Sequence, residues 1–323
     1  MANTKPLSCS ASLLWVHGVG FVDWGRLVTL SLLWGSSFLL IEVALTSFGP
    51  LTVVNLRLFF AALVLLILVR LYKVPLPRAP AVWFGLLVLA VGNNVIPFLL
   101  ITWGQMHINA SLASVLNGTV TLYGVVLAWF FAKDEQHGAH RFLGVLLGFV
   151  GVVIIVGPSA ADWRGGDFLG QVAILLAAFC YACLVIYAKR FKAFGVAPLT
   201  LAAFQAGIGC LVLAPLTFTI EAPLTVDLVS FKPLLAAACL GVLSSALAYV
   251  LYFKILQSAG AMNLMLVALL MPVSTCLSAA LLLGDRLTVG DFSGMGLILL
   301  SLVIIDGRVV PWARQWLWGA RGV

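Results

Sequence analysis

The chain has 323 residues, 63% of them apolar and 9% charged, whereas a soluble domain of this size carries about a quarter charged residues. That excludes a water-soluble globular protein, and 20 Phe, 10 Trp and 30 Gly without a collagen period or low-complexity tract exclude a disordered or fibrous one. The formal charge of +7 is no nucleic-acid footprint, because the basic residues stand in short clusters between apolar runs and form no stripe interleaved with aromatics. An all-α polytopic membrane protein remains, with the lipid bilayer as its surroundings.

Residues 1–24 hold a modest apolar patch around Leu13 to Val16, without the basic start, longer apolar core and cleavage site of a signal peptide. They read as a cytoplasmic segment. A helix crossing about 30 Å of hydrocarbon needs roughly 20 mostly apolar residues. That ruler predicts ten spans, near 27–46, 51–71, 82–103, 109–131, 142–158, 168–188, 198–219, 233–253, 262–283 and 292–308. The links are short and carry turn chemistry or charge, as in Phe48-Gly49-Pro50, Pro75 to Pro80, Lys133 to Arg141, Pro158 to Gly166 and Lys189 to Lys192. Residues 309–323 form a basic tail in which Trp312, Trp316 and Trp318 stand among arginines, the composition of a segment lying along the inner interface. Of the six cysteines, Cys180, Cys183, Cys210, Cys239 and Cys276 fall inside apolar runs and Cys9 outside them, so they read as small hydrophobes and not as a disulfide framework.

Orientation follows from Lys and Arg. With the N-terminus inside, Lys5, Arg26, Arg70, Lys73, Arg78, Lys133, Arg141, Lys189, Arg190, Lys192, Lys254, Arg308, Arg314 and Arg321 are cytoplasmic, and Arg164, Lys232 and Arg286 external. That bias places both termini in the cytoplasm.

The halves resemble each other at an offset of about 150 residues. Ala132 to Glu135, followed by Phe142 and Gly144, answers Leu282 to Asp285, followed by Phe292 and Gly294; Leu51-Thr52 with Arg57 answers Leu199-Thr200 with Gln205; and Asn93-Asn94 answers Ser244-Ser245. Two five-span repeats, 25–158 and 159–308, follow. Because five is odd, the second enters from the opposite face, and an inverted repeat is the signature of an alternating-access transporter with its site near the midplane.

Leu33-Trp34-Gly35-Ser36-Ser37-Phe38, Leu56-Arg57-Leu58, Ala110 to Asn117, Lys133 to Glu135, and Leu270-Met271-Pro272 through Gly284-Asp285-Arg286-Leu287-Thr288 resemble the drug/metabolite transporter superfamily, EamA type, over about residues 25–308. The resemblance implies a ten-helix carrier. Many members export amino acids or other small amphipathic metabolites, and the YddG-type amino acid exporters are the branch to compare first. Two departures stand out: the fourth span has Thr121-Leu122 where a mid-helix proline is common, and the second acidic turn has Asp285 where glutamate is usual. Trp34 and its neighbours Ser37 and Phe38 enter the candidate site through this motif.

Other candidates come from the cost of polarity in hydrocarbon. Glu42 and Arg57 lie roughly 6 and 9 Å below the external ends of their spans at about 1.5 Å per residue, where they could pair. Alternatively Arg57, whose repeat mate is the neutral Gln205, offers a lone cationic contact to a substrate carboxylate. Asn93 and Asn94 precede Pro97, which removes a backbone bond to the carbonyl of residue 93. Ser244 and Ser245 occupy the mirrored place, and Pro272 frees the carbonyl of Ala268. A small-molecule site is mostly apolar with a few placed polar groups, so Trp34, Phe38, Trp103, Tyr181, Tyr249 and Tyr252 are candidate walls. Gly144-x-x-x-Gly148 and Gly294 read as scaffold, allowing close helix approach.

No cofactor or metal is expected, and the oligomeric state stays open. An intramembrane enzyme would need facing carboxylates or a nucleophile with its base, and a channel a filter loop or charge rings. Organophosphate and nucleotide-sugar carriers favour several buried cations, where only Arg57 is present. The reading is therefore an exporter of small amphipathic metabolites, amino acids (aromatic ones included) foremost, in the cytoplasmic membrane. A multidrug or cationic-compound exporter of the same fold is the alternative.

Overall fold

Inside lipid a backbone must satisfy its own hydrogen bonds, and helices do this within one segment. The computed structural model describes residues 21–77, 79–131, 139–160, 165–221, 231–259, 264, 266–282 and 288–306, and among them every regular element is helical. Residues 1–20, the acidic turns around Glu135 and Asp285, and the tryptophan-bearing tail lie outside the described residues.

The helices are α1 (Phe21–Leu45), α2 (Pro50–Leu71), α3 (Pro80–Gly104), α4 in two pieces (Ala110–Asn117 and Val120–Phe131), α5 (Ala139–Ala160), α6 (Gly166–Ala188), α7 (Pro198–Glu221), α8 (Phe231–Ser258), α9 (Leu266–Leu282) and α10 (Val289–Asp306). Seven stretches are long and apolar enough to cross a membrane, namely α1, α2, α3, Ala110–Leu127, α6, α7 and α8, and Phe142–Ile155, Leu266–Ala279 and Val289–Ile305 are shorter apolar helices. Start signals fall where the chemistry asks for them. Pro50, Pro80 and Pro198 open α2, α3 and α7, where a missing N–H costs nothing, and Asn109 caps α4 by accepting from Leu112 N at 2.9 Å. α1 is already helical at Phe21, before the apolar run begins, and Asp23 and Arg26 pair along it at 2.8 Å.

The packing is reciprocal between the two parts of the chain. α1 lies against α8 and α9, whereas α6 lies against α3 and α4; α2 packs on α7, and α5 on α10. Small residues permit the tightest of these contacts. A Cβ on Gly151 or Gly294 would sit 2.7 Å from the other's carbonyl oxygen, and one on Gly104 or Gly170 would meet its opposite at 2.9 Å. Where α1 meets α9, hydroxyls take part: Ser274 donates to the carbonyl of Ser31 at 3.0 Å and Thr275 to that of Gly35 at 3.1 Å. The glycines of the fifth and tenth spans thus stand where the sequence reading puts them, at a close-packed seam.

Three helices carry π-helical turns: Ala90–Val95 in α3, Thr217–Glu221 in α7 and Val242–Leu247 in α8. The first precedes Pro97 as anticipated, and the third falls at the mirrored place without a proline. There the Ser245 hydroxyl donates to the Leu240 carbonyl at 3.1 Å, satisfying an acceptor through a side chain. Pro272 lies inside α9, which runs as helix from Leu266 to Leu282, and having no N–H it gives the Ala268 carbonyl no partner there. A break lies in α4, at Gly118 and Thr119, where no proline stands. The Thr119 hydroxyl donates to Leu116 O at 2.6 Å in that break.

Two glycines on α10 test the seam. Gly294→Ala pushes a methyl group into the Gly151 carbonyl and should cost about 1–3 kcal/mol. Gly296 has nothing within 4 Å of an added Cβ, so Gly296→Ala should be neutral or stabilise by up to about 1 kcal/mol. Thermal unfolding of the two purified variants in the same detergent distinguishes them.

Candidate substrate site

A π turn widens a helix by one residue and leaves backbone and side-chain groups free to meet something other than the next turn. Asn93 and Asn94 lie in the turn of α3, and Ser244 and Ser245 in that of α8. Each turn faces the second helix of the other part of the chain: α7 packs on Ala90–Val95, and α2 on Val242–Leu247.

Arg57 projects from the middle of α2 and is 7% exposed. Its Nε donates to Ser245 Oγ at 3.0 Å, and its guanidinium carbon stands 3.8 Å from the centre of the Phe98 ring. Tyr181 and Tyr249 are both within electrostatic reach of it. Close approach of α2 and α8 makes this geometry possible. Gly241 precedes the α8 turn, and a Cβ there would lie 2.6 Å from the Arg57 carbonyl oxygen. The pairing with Glu42 does not form; among the described residues the ion pair is Arg26 with Asp23. Thus Arg57 has a ring, a hydroxyl and phenols as neighbours and no carboxylate among the described residues.

On the opposite side, Asn93 Nδ2 donates to Gln205 Oε1 in α7 at 3.2 Å and to Asn94 Oδ1 at 3.5 Å. Gln205 and Asn94 are buried. Ser244 is fully buried, and its hydroxyl finds no hydrogen-bond partner among the described residues. An aromatic chain leads away from the cation. Tyr249 stacks on Phe253 with centroids 6.4 Å apart, Phe253 meets Tyr252 edge-on at 5.3 Å, and Tyr252 lies 5.9 Å from Trp34. Tyr181 meets the same Phe98 ring edge-on at 6.5 Å.

The structure therefore gathers Arg57 with Ser245, Tyr181 and Tyr249, and Asn93 with Asn94 and Gln205, with Trp34 at the end of the aromatic chain. Other sequence candidates take structural positions. The Ser37 hydroxyl donates to the Trp34 carbonyl at 2.6 Å within its own helix, and Phe38 is a core residue at 3% exposure. Pro272 faces the α4 break, with its Cγ 3.8 Å from where a Cβ on Gly118 would stand. Trp103 lines a groove of about 470 Å³ together with Met106 and Glu221, away from Arg57.

Two side chains escaped the sequence reading. Phe98, the platform beneath Arg57, lies four residues past Asn94 and so on the same helical face, which was the available signal. Glu221 ends α7, and its carboxylate accepts from the backbone N–H groups of Leu51 and Thr52 at 2.9 and 2.8 Å, capping α2 from a distant helix. The seam below it continues through Asn55, which donates to Thr217 Oγ1 at 3.2 Å and accepts from Cys210 Sγ at 3.0 Å.

A helical bundle of this hydropathy, with polar groups gathered at broken helices between its two parts, has the anatomy of a membrane transporter. The profile of the EamA-like transporter family matches residues 26–157 and again 168–306, and the chain belongs to that family. Among relatives, the uncharacterized transporter YoaV of Bacillus subtilis (strain 168) is 22% identical over 84% of this chain and 92% of its own. The uncharacterized inner membrane transporter YedA of Escherichia coli (strain K12) is 24% identical over 87% and 89%, and a probable amino-acid metabolite efflux pump of the same strain is 27% identical over 84% and 90%. One solved crystal structure superposes with a TM-score of 0.63 at 17% identity, covering 88% of this chain and 96% of its own, which shows a shared fold.

Removing the acceptor of Arg57 tests the polar bridge. Ser245→Ala leaves a buried charged donor bare and should destabilise the folded protein by about 1–3 kcal/mol. Ser36→Ala, which removes a hydroxyl bonded within its own helix at 3.1 Å, should change stability by well under 1 kcal/mol. Melting of both variants in detergent is the comparison.

Proposed function

We propose that the protein is a secondary transporter of the cytoplasmic membrane that exports small amphipathic metabolites bearing a carboxylate, amino acids foremost, by alternating access. In this reading ten crossing helices form two inverted repeats, 25–158 and 159–308, with both termini inside and the substrate held between the repeats. The two matches to the family profile and the reciprocal packing of α1, α2 and α5 with α8 and α9, α7 and α10 support the repeat.

One observation carries the substrate class. Arg57 is a buried guanidinium whose neighbours include no carboxylate among the described residues. A desolvated cation is stabilised by an anion far more than by a hydroxyl or a ring, and a carboxylate is the anion whose geometry a guanidinium fork matches. The same cation disfavours the alternative of a cationic-drug exporter by direct repulsion. A single arginine also falls short of what a phosphate ester would require. Asn93, Asn94 and Gln205 supply neutral polar contacts, and Tyr181, Tyr249 and Trp34 supply apolar wall. The relative named as an amino-acid metabolite efflux pump points the same way.

Proteoliposomes of the purified protein, given labelled amino acids, sugars, phosphorylated metabolites and cationic drugs, test the reading. Saturable amino-acid flux is expected, and flux confined to the other classes overturns the substrate assignment. Asn93→Leu should reduce that flux at least tenfold with folded protein retained, and unchanged flux would remove Asn93 from the site.

Energy coupling follows from where the acids stand. Among the described residues the acids, Asp23, Glu42, Asp167, Glu221, Asp291 and Asp306, all lie in the first or last turns of their helices, whereas proton-coupled carriers hold carboxylates mid-membrane. Export is then driven by the substrate's own gradient. Collapsing a proton gradient in the vesicles should leave the initial rate unchanged, and a rate that falls with the gradient would establish coupling.

A further inference from the structure

Two buried side chains of equal exposure and unequal charge meet the two π turns. Arg57 in α2 donates to Ser245 in the α8 turn at 3.0 Å, and Gln205 in α7 accepts from Asn93 in the α3 turn at 3.2 Å. Each is 7% exposed. Each joins the helix second in its own part of the chain to the interrupted helix of the other part. The two π turns thus form two poles of one construction, one cationic and one neutral.

We propose that residues 57 and 205 are a specificity-determining pair, in which the number of cationic side chains sets the number of carboxylates a substrate must carry, here one. This rests on the proposed function. With Nε held by Ser245 and the guanidinium carbon 3.8 Å from the centre of the Phe98 ring, the two terminal nitrogens of Arg57 are left to form a paired contact with one carboxylate. At the other pole the amides of Gln205, Asn93 and Asn94 hydrogen-bond a neutral group or an ammonium. They carry no charge to offset the desolvation of a second carboxylate. A substrate without a carboxylate leaves Arg57 unmatched, and one with two leaves an anion unmatched at Gln205. Both are rejected, by opposite poles.

The equivalence of the poles is directly testable by moving the charge. In the double variant R57Q/Q205R the total charge is unchanged, and the new guanidinium faces Asn93, whose side-chain oxygen can accept from it as Ser245 does from Arg57. Uptake of labelled phenylalanine into proteoliposomes is the assay, with phenylalanine amide and glutamate as competitors. R57Q alone should lose about 10- to 100-fold of phenylalanine uptake, the scale of one charge-assisted paired contact. The double variant should regain most of that loss, and Q205R alone should acquire glutamate uptake.

In the unaltered protein, phenylalanine should compete at least tenfold better than its amide or glutamate, a comparison that needs no variant to fold. A double variant that is monodisperse in detergent yet as inactive as R57Q overturns the pairing, as does equal competition by glutamate in the unaltered protein. Either result leaves amino-acid transport itself standing. Absence of phenylalanine uptake by the unaltered protein, with other amino acids equally inert, removes the proposed function and this inference together.

Discussion

A guanidinium held out of water among apolar helices is the constraint around which this bundle is arranged. Moving such an ion into a low-dielectric interior costs several kcal/mol unless its surroundings compensate. Arg57 obtains a hydroxyl, an aromatic face and two phenols, each weaker than a carboxylate. They come from three different helices. Ser245 and Tyr249 bring α8, Phe98 brings α3 and Tyr181 brings α6, so the placement of three helices converges on one side chain of α2. The bare Gly241 backbone and the displaced register of Val242–Leu247 are local adjustments that let α8 come close enough.

The contacts divide by kind as well as by place. α5 and α10 meet through glycine against glycine and apolar side chains, a seam with little to exchange and much to lose by separation. α2, α3, α7 and α8 meet at the centre through hydroxyls, amides and one cation. Polar bridges of this sort are easily traded for bonds to a ligand, because the donors and acceptors remain satisfied either way. A rigid apolar flank beside an exchangeable polar centre suits a carrier that must open around a cargo while staying assembled in lipid.

Much of this was legible in the sequence because the responsible signals are local. Apolar length located the helices, Pro97 marked the disturbance in α3, Gly144, Gly148 and Gly294 marked a close seam, and the rarity of charge in hydrocarbon singled out Arg57. What escaped depends on contacts between residues far apart in the chain. The α8 turn has no proline, and Ser245 stabilises it through a hydroxyl that also serves Arg57. The break in α4 falls at Gly118 and Thr119, where no proline announces it. Phe98 looked like one of many membrane aromatics until Arg57 was laid across it. Ser37 and Phe38, drawn in by a motif, turned out to serve their own helix and the core, because sequence position within a motif does not fix the direction of a side chain.

The cap on α2 carries a consequence for how such a chain is made. The N–H groups of Leu51 and Thr52 wait on a carboxylate 170 and 169 residues further along. Arg57 waits 188 residues for its hydroxyl and Asn93 waits 112 for Gln205. During synthesis, the first five helices therefore leave the ribosome with an uncapped terminus, an unmatched cation and an unmatched amide in or near the bilayer. At about 5–20 residues per second, that condition lasts on the order of ten seconds or more. The early half is a segment in need of a companion, and biogenesis ends only when the late half supplies the missing acceptors.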